Sequence, residues 1–198
     1  IVRQWNYIEN ITMFTEERQH YQQFNDARSH FYAPGEWKTG FPAATGIGTT
    51  AGGVIVDCNF LYDSSKIQVY PLDNPLQIAA HAYSTKVLLE GIPKMAPTTP
   101  KFERAKAIVS TDRSFVYVSG TAAIRGELSL TGVGISEQTK VTMENIQYLI
   151  SVKNAKDQHG DIVYKQPALQ SLRVSLKQPG DHPAAEATLR DILDEQEA

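Results

Sequence analysis

The sequence predicts an α+β fold in which helices pack on one face of a mixed sheet, with α/β as the alternative class. Short segments rich in Val, Ile and aromatic residues are typical of strands, and turns containing Gly, Pro or Asp separate them. Three longer segments, at 15–32, 136–153 and 181–196, place apolar residues at helical spacing. Strands and helices therefore alternate along one chain, which favours a sheet with a helical layer.

The first half of the chain predicts one helix among four strands. Thr15 is the expected N-cap of the helix, Tyr21 and Phe24 start its apolar face, and Pro34-Gly35 ends it. The predicted strands are residues 2–11, 42–48, 53–62 and 66–70.

The second half begins after a Pro-rich connection. Five of the ten prolines lie within residues 71–101, although residues 76–83 could form a strand there. Alternating polar and apolar residues at 169–177 predict a half-buried strand, and Asp181 is the expected N-cap of the last helix. The other predicted elements are strands at 102–109 and 114–120, a helix at 136–153, a polar loop at 154–166 and a helix at 181–196.

Composition excludes several classes of function. The 198 residues carry a net charge of −3, so a generic nucleic-acid-binding surface is not expected. No apolar run approaches the ~20 residues of a membrane helix. The single cysteine, Cys58, excludes an internal disulfide and a cysteine-based zinc site, and the five histidines show no metal-binding spacing. We therefore expect a cytoplasmic protein with no metal or organic cofactor, no nucleic-acid partner and no membrane contact.

The most informative stretch is VYVSGTAAIRG, residues 116–126. An apolar strand runs into Ser119, Gly120, Thr121 and Ala122, small residues that allow a bend and the close approach of a ligand. A Gly-containing connection follows, and then the helical segment SEQTKVTMENIQYLI at 136–150.

This order resembles the Rid/YjgF superfamily, which older labels call endoribonuclease L-PSP-like, and within it the two-domain chorismatase-type branch. Five further motifs occur in that branch's order along nearly the whole chain: WNYIENIT, ERQHYQQFNDARSHF, GFPAATGIG, NPLQIAAHAY and PKFERA. The resemblance implies a chorismate-mutase-like mixed sheet, a small-molecule site and a homo-oligomer, most often a trimer.

The resemblance also implies a domain organisation. Residues 1–70 would be the second half of a first Rid-like unit, 71–101 the Pro-rich connection, and 102–198 a second unit without its closing strands. A weak internal repeat supports two related units, because strand 2–11 with helix 15–32 has the plan of strand 169–177 with helix 181–196. We expect the natural chain to extend past both Ile1 and Ala198.

The expected substrate-binding residues surround the small-residue loop. Arg104 and Arg125 could grip a carboxylate in a bidentate fork, with a structural ion pair for Arg104 and a surface position for Arg125 as the alternatives. Hydroxyls of Ser119 and Thr121 could donate to the ligand, or they could stabilise a turn. The backbone around Gly120 and Ala122 would complete the loop. Tyr83 is expected to form a wall of the site, with ordinary packing as its alternative.

No catalytic residue is assigned. The acid that the chorismatase resemblance implies would belong to a strand after Ala198, and Glu127 beside the loop is the weaker candidate, more often a solvated side chain. The favoured function is chorismatase-like enol-ether cleavage of a cyclic carboxylic acid, chorismate to pyruvate plus a ring acid. The alternatives are a non-catalytic metabolite-binding protein and a Rid-type enamine or imine deaminase. Ala44 and Phe102 stand where such deaminases carry Arg and Tyr, which argues against the last.

Overall fold

The computed structural model describes residues 1–15, 18–62, 66–82, 98–162 and 164–197. These residues form a mixed α+β fold, as the sequence predicted. The strands are β1 (Arg3–Glu9), β2 (Phe14–Thr15), β3 (Arg18–Gln19), β4 (Ala43–Thr49), β5 (Val54–Asn59), β6 (Ile67–Leu72), β7 (Ala105–Ser110), β8 (Ser114–Val118), β9 (Ile124–Arg125) and β10 (Leu128–Ser129). The α-helices are α1 (His20–Tyr32), α2 (Ile135–Leu149), α3 (Val152–His159) and α4 (His182–Glu197).

The first sheet has the strand order β4-β1-β5. Strand β1 runs parallel to β4, with Arg3 opposite Ala43, and antiparallel to β5, with Trp5 opposite Asp57. Because side chains alternate along a strand, Gln4 and Asn6 lie on one face and Arg3 and Trp5 on the other. Helix α1 covers the Gln4 face, since the Tyr32 hydroxyl at its end donates to the side-chain oxygen of Gln4.

The second sheet has the antiparallel order β6-β7-β8. Its inner face and helices α2 and α4 enclose the main apolar core. The fully or nearly fully buried members of that core include Leu72, Ala105, Ala107, Val109, Met143, Ile146 and Leu149. Each large aliphatic side chain buried here contributes ~1.5–3 kcal/mol to folding.

The two sheets meet along a short stretch of backbone. Ala43 forms a parallel bridge with Glu103, and the amide of Gly120 donates to the carbonyl of Ala44 over 3.0 Å. Below this junction, the ammonium of Lys106 donates to the carbonyls of Thr39 and Gly40, in the latter case over 3.1 Å. One polar seam therefore holds the start of β4 against the second sheet.

Most predicted elements are confirmed. The β7–β8 pair turns at residues 111–113, and the hydroxyl of Ser110 closes that turn by accepting from the amide of Arg113 over 3.1 Å. The first helix begins at His20 rather than near Thr15, because Phe14–Thr15 pairs with Arg18–Gln19 as a short hairpin.

Two predicted elements are wrong, and one segment that could have formed a strand does not form one in its described part. Residues 169–177 form no strand, because no strand among the described residues pairs with them, so the second copy of the predicted repeat is missing its strand. Residues 76–82 form a turn with a single bridge, Gln77 to Gly126, and a 3-10 turn at Ala80–Ala82. The predicted polar loop at 154–166 contains α3, whose N-cap, Ser151, accepts from the amide of Asn154 over 3.1 Å.

Helices long and apolar enough to cross a membrane do not occur in the described ranges. The sequence predicted one mixed sheet, and the structure instead has two three-stranded sheets joined at a seam. The division into units at 1–70, 71–101 and 102–198 stays a prediction.

Candidate substrate-binding groove

A groove of about 1120 Å³ lies where the two sheets meet. Its walls are β1, β4 and β8, the loop at 119–124, helix α2 and the irregular segment at 167–177. Three arginines on its lining, Arg3, Arg28 and Arg104, are at least nine-tenths buried. A guanidinium stays charged at neutral pH, so the groove presents buried positive charge to whatever enters it.

Arg28 projects from α1 and is 6% exposed. One guanidinium nitrogen donates to the side-chain oxygen of Asn25 over 2.7 Å, and the group lies 5.3 Å from the ring centre of Phe24 and 5.9 Å from that of Phe102. Burial lowers the pKa of Arg28. Its Nε is buried without a hydrogen-bond partner among the described residues, and no carboxylate in those ranges forms an ion pair with it.

Such an arrangement is costly to folding unless an anion completes it. A buried charge normally has a charged or well-bonded partner, because the low dielectric of the interior does not replace its hydration. The rings of Phe24 and Phe102 compensate only part of this cost. Arg28 is thus well placed to bind a carboxylate. Sequence reasoning missed it as a site residue, although it belongs to the segment ERQHYQQFNDARSHF that resembles the chorismatase-type branch.

Arg104 is 3% exposed and donates to the carbonyl of Ile78. The structure places it on the groove, as a carboxylate-binding residue requires. That carbonyl orients the guanidinium from the side of the turn at 76–82. Whether Arg104 contacts substrate stays a prediction.

The small-residue loop lines the groove, but two of its side chains already have structural roles. The hydroxyl of Ser119 accepts from the amide of Ala44 over 2.8 Å and donates to the carbonyl of Glu103. A Cβ on Gly120 would lie 2.9 Å from the methyl carbon of Thr45, so glycine allows the sheets to approach each other here. These contacts hold the start of the loop against the first sheet.

Asn145 anchors the same loop from α2. Its side-chain amide donates to the carbonyls of Ala122 and Ile124 over 3.2 and 2.9 Å. Gln77 adds a bond to the hydroxyl of Thr121 over 3.3 Å, and Asn74 donates to the backbone carbonyl of Asn145 over 3.0 Å. The sequence analysis included these polar residues only within the segments SEQTKVTMENIQYLI and NPLQIAAHAY, and it missed their role in holding the loop.

Arg125 does not line the groove. Its guanidinium donates to the side chains of Glu144 and Asn145, and the carboxylate of Glu144 is more than half exposed. The predicted pairing of Arg104 with Arg125 in one clamp is therefore not assembled, although a role for Arg125 in binding stays a prediction. Tyr83 lies outside the described residues.

Neither a carboxylate nor a metal cluster lines the groove in the part of the chain that the structure describes. The geometry therefore supplies binding and orientation through arginines, hydroxyls and backbone amides. These are the donors that a protein uses for carboxylates and developing oxyanions.

Together the fold and the groove define a mixed α+β protein with an arginine-lined groove between two three-stranded sheets. The family described as "Chorismatase FkbO/Hyg5-like, N-terminal" matches residues 1–61. A solved chorismatase structure superposes with a TM-score of 0.75 at 23% identity, covering 96% of this chain and 55% of that one. The resemblance to chorismatases that the motifs predicted is confirmed, and the superposition shows that the fold is shared.

Two relatives make the similarity specific. A 3-hydroxybenzoate synthase from Streptomyces hygroscopicus is 26% identical over 199 residues, which is 98% of this chain and 55% of the relative. A chorismatase from Streptomyces rapamycinicus is 30% identical over 158 residues, which is 78% of this chain and 44% of the relative. The chain spans about half the length of these relatives.

Proposed function

We propose that this protein binds chorismate in the groove between its two sheets and takes part in cleaving it to pyruvate plus a ring acid. The similarity to proteins named chorismatase and 3-hydroxybenzoate synthase supports this substrate class. The observation that carries the proposal is Arg28, a buried cation on the groove that has no carboxylate partner in the described ranges. Chorismate carries two carboxylates, which fit such a site.

The proposed division of labour follows from the chemistry. Cleavage of the enol ether requires a proton on the terminal carbon of the enol, which leaves an oxocarbenium cation. In one route water adds to this cation, and the hemiketal collapses to pyruvate while the ring oxygen takes up a proton. In the other route the bond between the ether oxygen and the ring breaks, its electron pair stays on the oxygen of pyruvate, and the ring cation loses a proton. Arg28 and Arg104 would hold carboxylates, and the loop at 119–122 would orient the ring. The acid is not among the groove-lining residues that the structure describes, so we assign none.

The same lack of a carboxylate on the described lining favours one alternative, a binding protein that holds a cyclic carboxylic acid without converting it. Both candidates predict binding, and only the first predicts release of pyruvate.

The test is an assay of pyruvate release from chorismate, coupled to lactate dehydrogenase, together with calorimetry of chorismate binding. We expect release by the wild-type protein, and an Arg28→Gln variant should raise KM by about tenfold or more because a charged hydrogen bond is lost. Arg28→Lys should recover part of the binding. Arg190→Gln, which alters an exposed arginine on α4, is the matched control and should change nothing.

Binding without pyruvate release would support the non-catalytic alternative. If the protein neither bound chorismate nor released pyruvate from it, both candidate functions would be contradicted. Unchanged KM in Arg28→Gln would remove Arg28 from the site and with it the observation on which the proposal rests.

We also propose a homo-oligomer, with a trimer favoured by the Rid/YjgF resemblance. In support, β5 is an edge strand of the first sheet, and Val54, Ile55 and Val56 are each about half exposed. Unpaired apolar edges of this kind favour association. Light scattering at micromolar concentration tests this, and a monomer alone would contradict it. The Rid/YjgF assignment and a cytoplasmic location remain proposals on the sequence grounds above.

A further inference from the structure

A second buried arginine, Arg3, lies on the face of the first sheet opposite α1. Arg3 is 6% exposed, and its guanidinium lies 4.6 Å from the ring centre of Trp5. One of its terminal nitrogens donates to the hydroxyl of Thr45. The other, Nη1, is buried and has no hydrogen-bond partner among the described residues. Buried polar groups normally have a hydrogen-bond partner, so this nitrogen is free to bind an acceptor that enters the groove.

The irregular segment at 167–177, here called the strap, brings a second arginine to the same place. Every residue of the strap lines the groove. Arg173 donates to the hydroxyl of Tyr7 over 2.7 Å, whereas Leu172 packs against the core of the second sheet. The strap therefore joins the two sheets, and Arg173 is its polar contact with β1.

Arg3 and Arg173 line the same groove, and both carry a positive charge. Burial is the main reason that the pKa of Arg3 is lowered to about 10, and the positive charge of Arg173 acts in the same direction. Asp57 belongs to the same sheet face, opposite Trp5, yet it forms no ion pair with either arginine in the described part of the chain. The guanidinium groups of Arg3 and Arg173 thus line the groove, and no carboxylate in the described residues forms an ion pair with either.

The surroundings of that space suit a flat ligand. The rings of Trp5 and Tyr117 meet edge to face with centres 6.3 Å apart, and the hydroxyl of Tyr117 accepts from the side-chain amide of Asn59 over 2.9 Å. Aromatic faces and edges contact planar rings favourably. Arg28 lines the same groove from α1, which covers the opposite face of the sheet.

We propose that the carboxylate of an aromatic ring acid binds between Arg3 and Arg173, beside Trp5 and Tyr117, and so holds the strap against the first sheet. The choice of a ring acid rests on the proposed function, because that reaction yields one. The positive charge, the burial and the strap contact are independent of it.

Benzoate is the probe, because it carries one carboxylate on one ring. Calorimetry should show benzoate binding to the wild-type protein, and hydrogen exchange at residues 167–177 should slow when benzoate is present. Arg173→Gln changes an exposed side chain, so its folding is secure, and it should weaken binding about tenfold or more. Arg3→Lys should weaken binding as well, and Arg3→Gln should abolish it.

Two control variants separate this site from general electrostatics. Arg190→Gln removes an exposed positive charge on α4 and should leave benzoate affinity unchanged. Asp57→Asn removes a negative charge from the same face and should leave affinity equal or higher. Equal benzoate affinity in wild type and Arg173→Gln, or no slowing of exchange in the strap, would overturn the proposal.

The experiments distinguish failure of the proposed benzoate site from failure of the proposed chorismate-cleaving function. Benzoate binding that is lost in both arginine variants, without pyruvate release from chorismate, supports this site and contradicts the enzyme. Pyruvate release with unchanged benzoate affinity in Arg173→Gln supports the enzyme and overturns this site. Absence of benzoate binding by the wild-type protein also overturns it.

Discussion

The two three-stranded sheets bury different kinds of side chain. The second sheet packs Leu72, Ala105 and Val109 against Met143 and Leu149, an ordinary aliphatic core. The first sheet buries Gln4 and Asn6 below α1, where Gln4 donates to Asn6 over 2.6 Å and accepts from Tyr32, and it buries Arg3 on its other face. Burial raises the pKa of Tyr32 to about 12, as expected for a phenol kept from water.

This difference suggests that the second sheet mainly stabilises the fold, whereas the first sheet mainly orients polar groups for binding. Aliphatic burial is non-directional and depends on area, so the second sheet can supply folding free energy without presenting chemistry. Buried polar groups gain little net stability, but they fix orientation because every donor and acceptor needs its partner. The polar first sheet accordingly contributes Arg3 to the charged lining of the groove, beside Arg28 from α1, Arg104 near the seam, and Arg173 and Lys177 from the strap.

The sharpest test of the contrast is in the aliphatic core. Leu72→Ala should lower the free energy of unfolding by ~2–5 kcal/mol, because Leu72 is fully buried and its loss leaves a cavity. The same substitution at Leu128, which is 71% exposed, should change it by less than ~0.5 kcal/mol. Chemical denaturation measures both. Similar losses at the two positions would contradict the assignment of the core to the second sheet.

The seam between the sheets should be sensitive to a single methyl group. Gly120→Ala would place a Cβ 2.9 Å from the methyl carbon of Thr45, and overpacking of this kind destabilises by ~1–3 kcal/mol. Thr45→Ser in the same chain removes that methyl carbon and should recover part of the loss. If chemical denaturation gave Gly120→Ala the same free energy of unfolding as the wild type, the two sheets would not lie this close together at Gly120.

Lys106 provides a test of the polar seam by pH. Burial lowers the pKa of Lys106 to about 8, whereas a lysine in the unfolded chain titrates near 10.4. Between those values the unfolded state binds more protons, so the free energy of unfolding rises with pH, by roughly 2 kcal/mol from pH 8 to pH 10. Above pH 10 the raised pKa of Tyr32 acts in the opposite direction.

The control for that rise is Lys106→Met. It removes the titrating group, so the rise in the free energy of unfolding that Lys106 contributes over this pH interval should be lost. Thermal unfolding at fixed ionic strength measures both proteins. Equal slopes for the variant and the wild type would show that Lys106 does not carry the effect.

The smallest effect is expected at Arg125. Its pair with Glu144 is partly exposed, and such pairs contribute about 0–1 kcal/mol. A double-mutant cycle of Arg125→Gln with Glu144→Gln measures that coupling. If Arg125→Gln instead raised the KM for chorismate about tenfold, Arg125 would bind substrate as the sequence predicted, and the groove would extend beyond its present lining.

The sequence predicted the strands and helices whose signals are local. Strand-like composition, apolar residues at helical spacing and clear turns located β4, β7, β8, α1 and α2 within a few residues. Residues 169–177 show the limit of such signals. Of the alternating apolar side chains, Leu172 packs against the apolar core of the second sheet. Leu169 and Val174 are instead 40% and 48% exposed. Periodicity alone does not distinguish this arrangement from a strand, because a strand also needs a neighbour to pair with.

The sequence by itself determined the fold class, the motif order shared with chorismatases and the presence of a small-residue loop in the candidate site. Tertiary structure alone decided which arginines reach the groove. Arg125 lies nearest to the loop in the sequence, but Glu144 and Asn145 engage it. Arg3 lies more than a hundred positions away, yet pairing of β1 with β4 brings its guanidinium to Thr45, which contacts Gly120. Strand pairing sets such distances, and it depends on contacts between segments that no local pattern records.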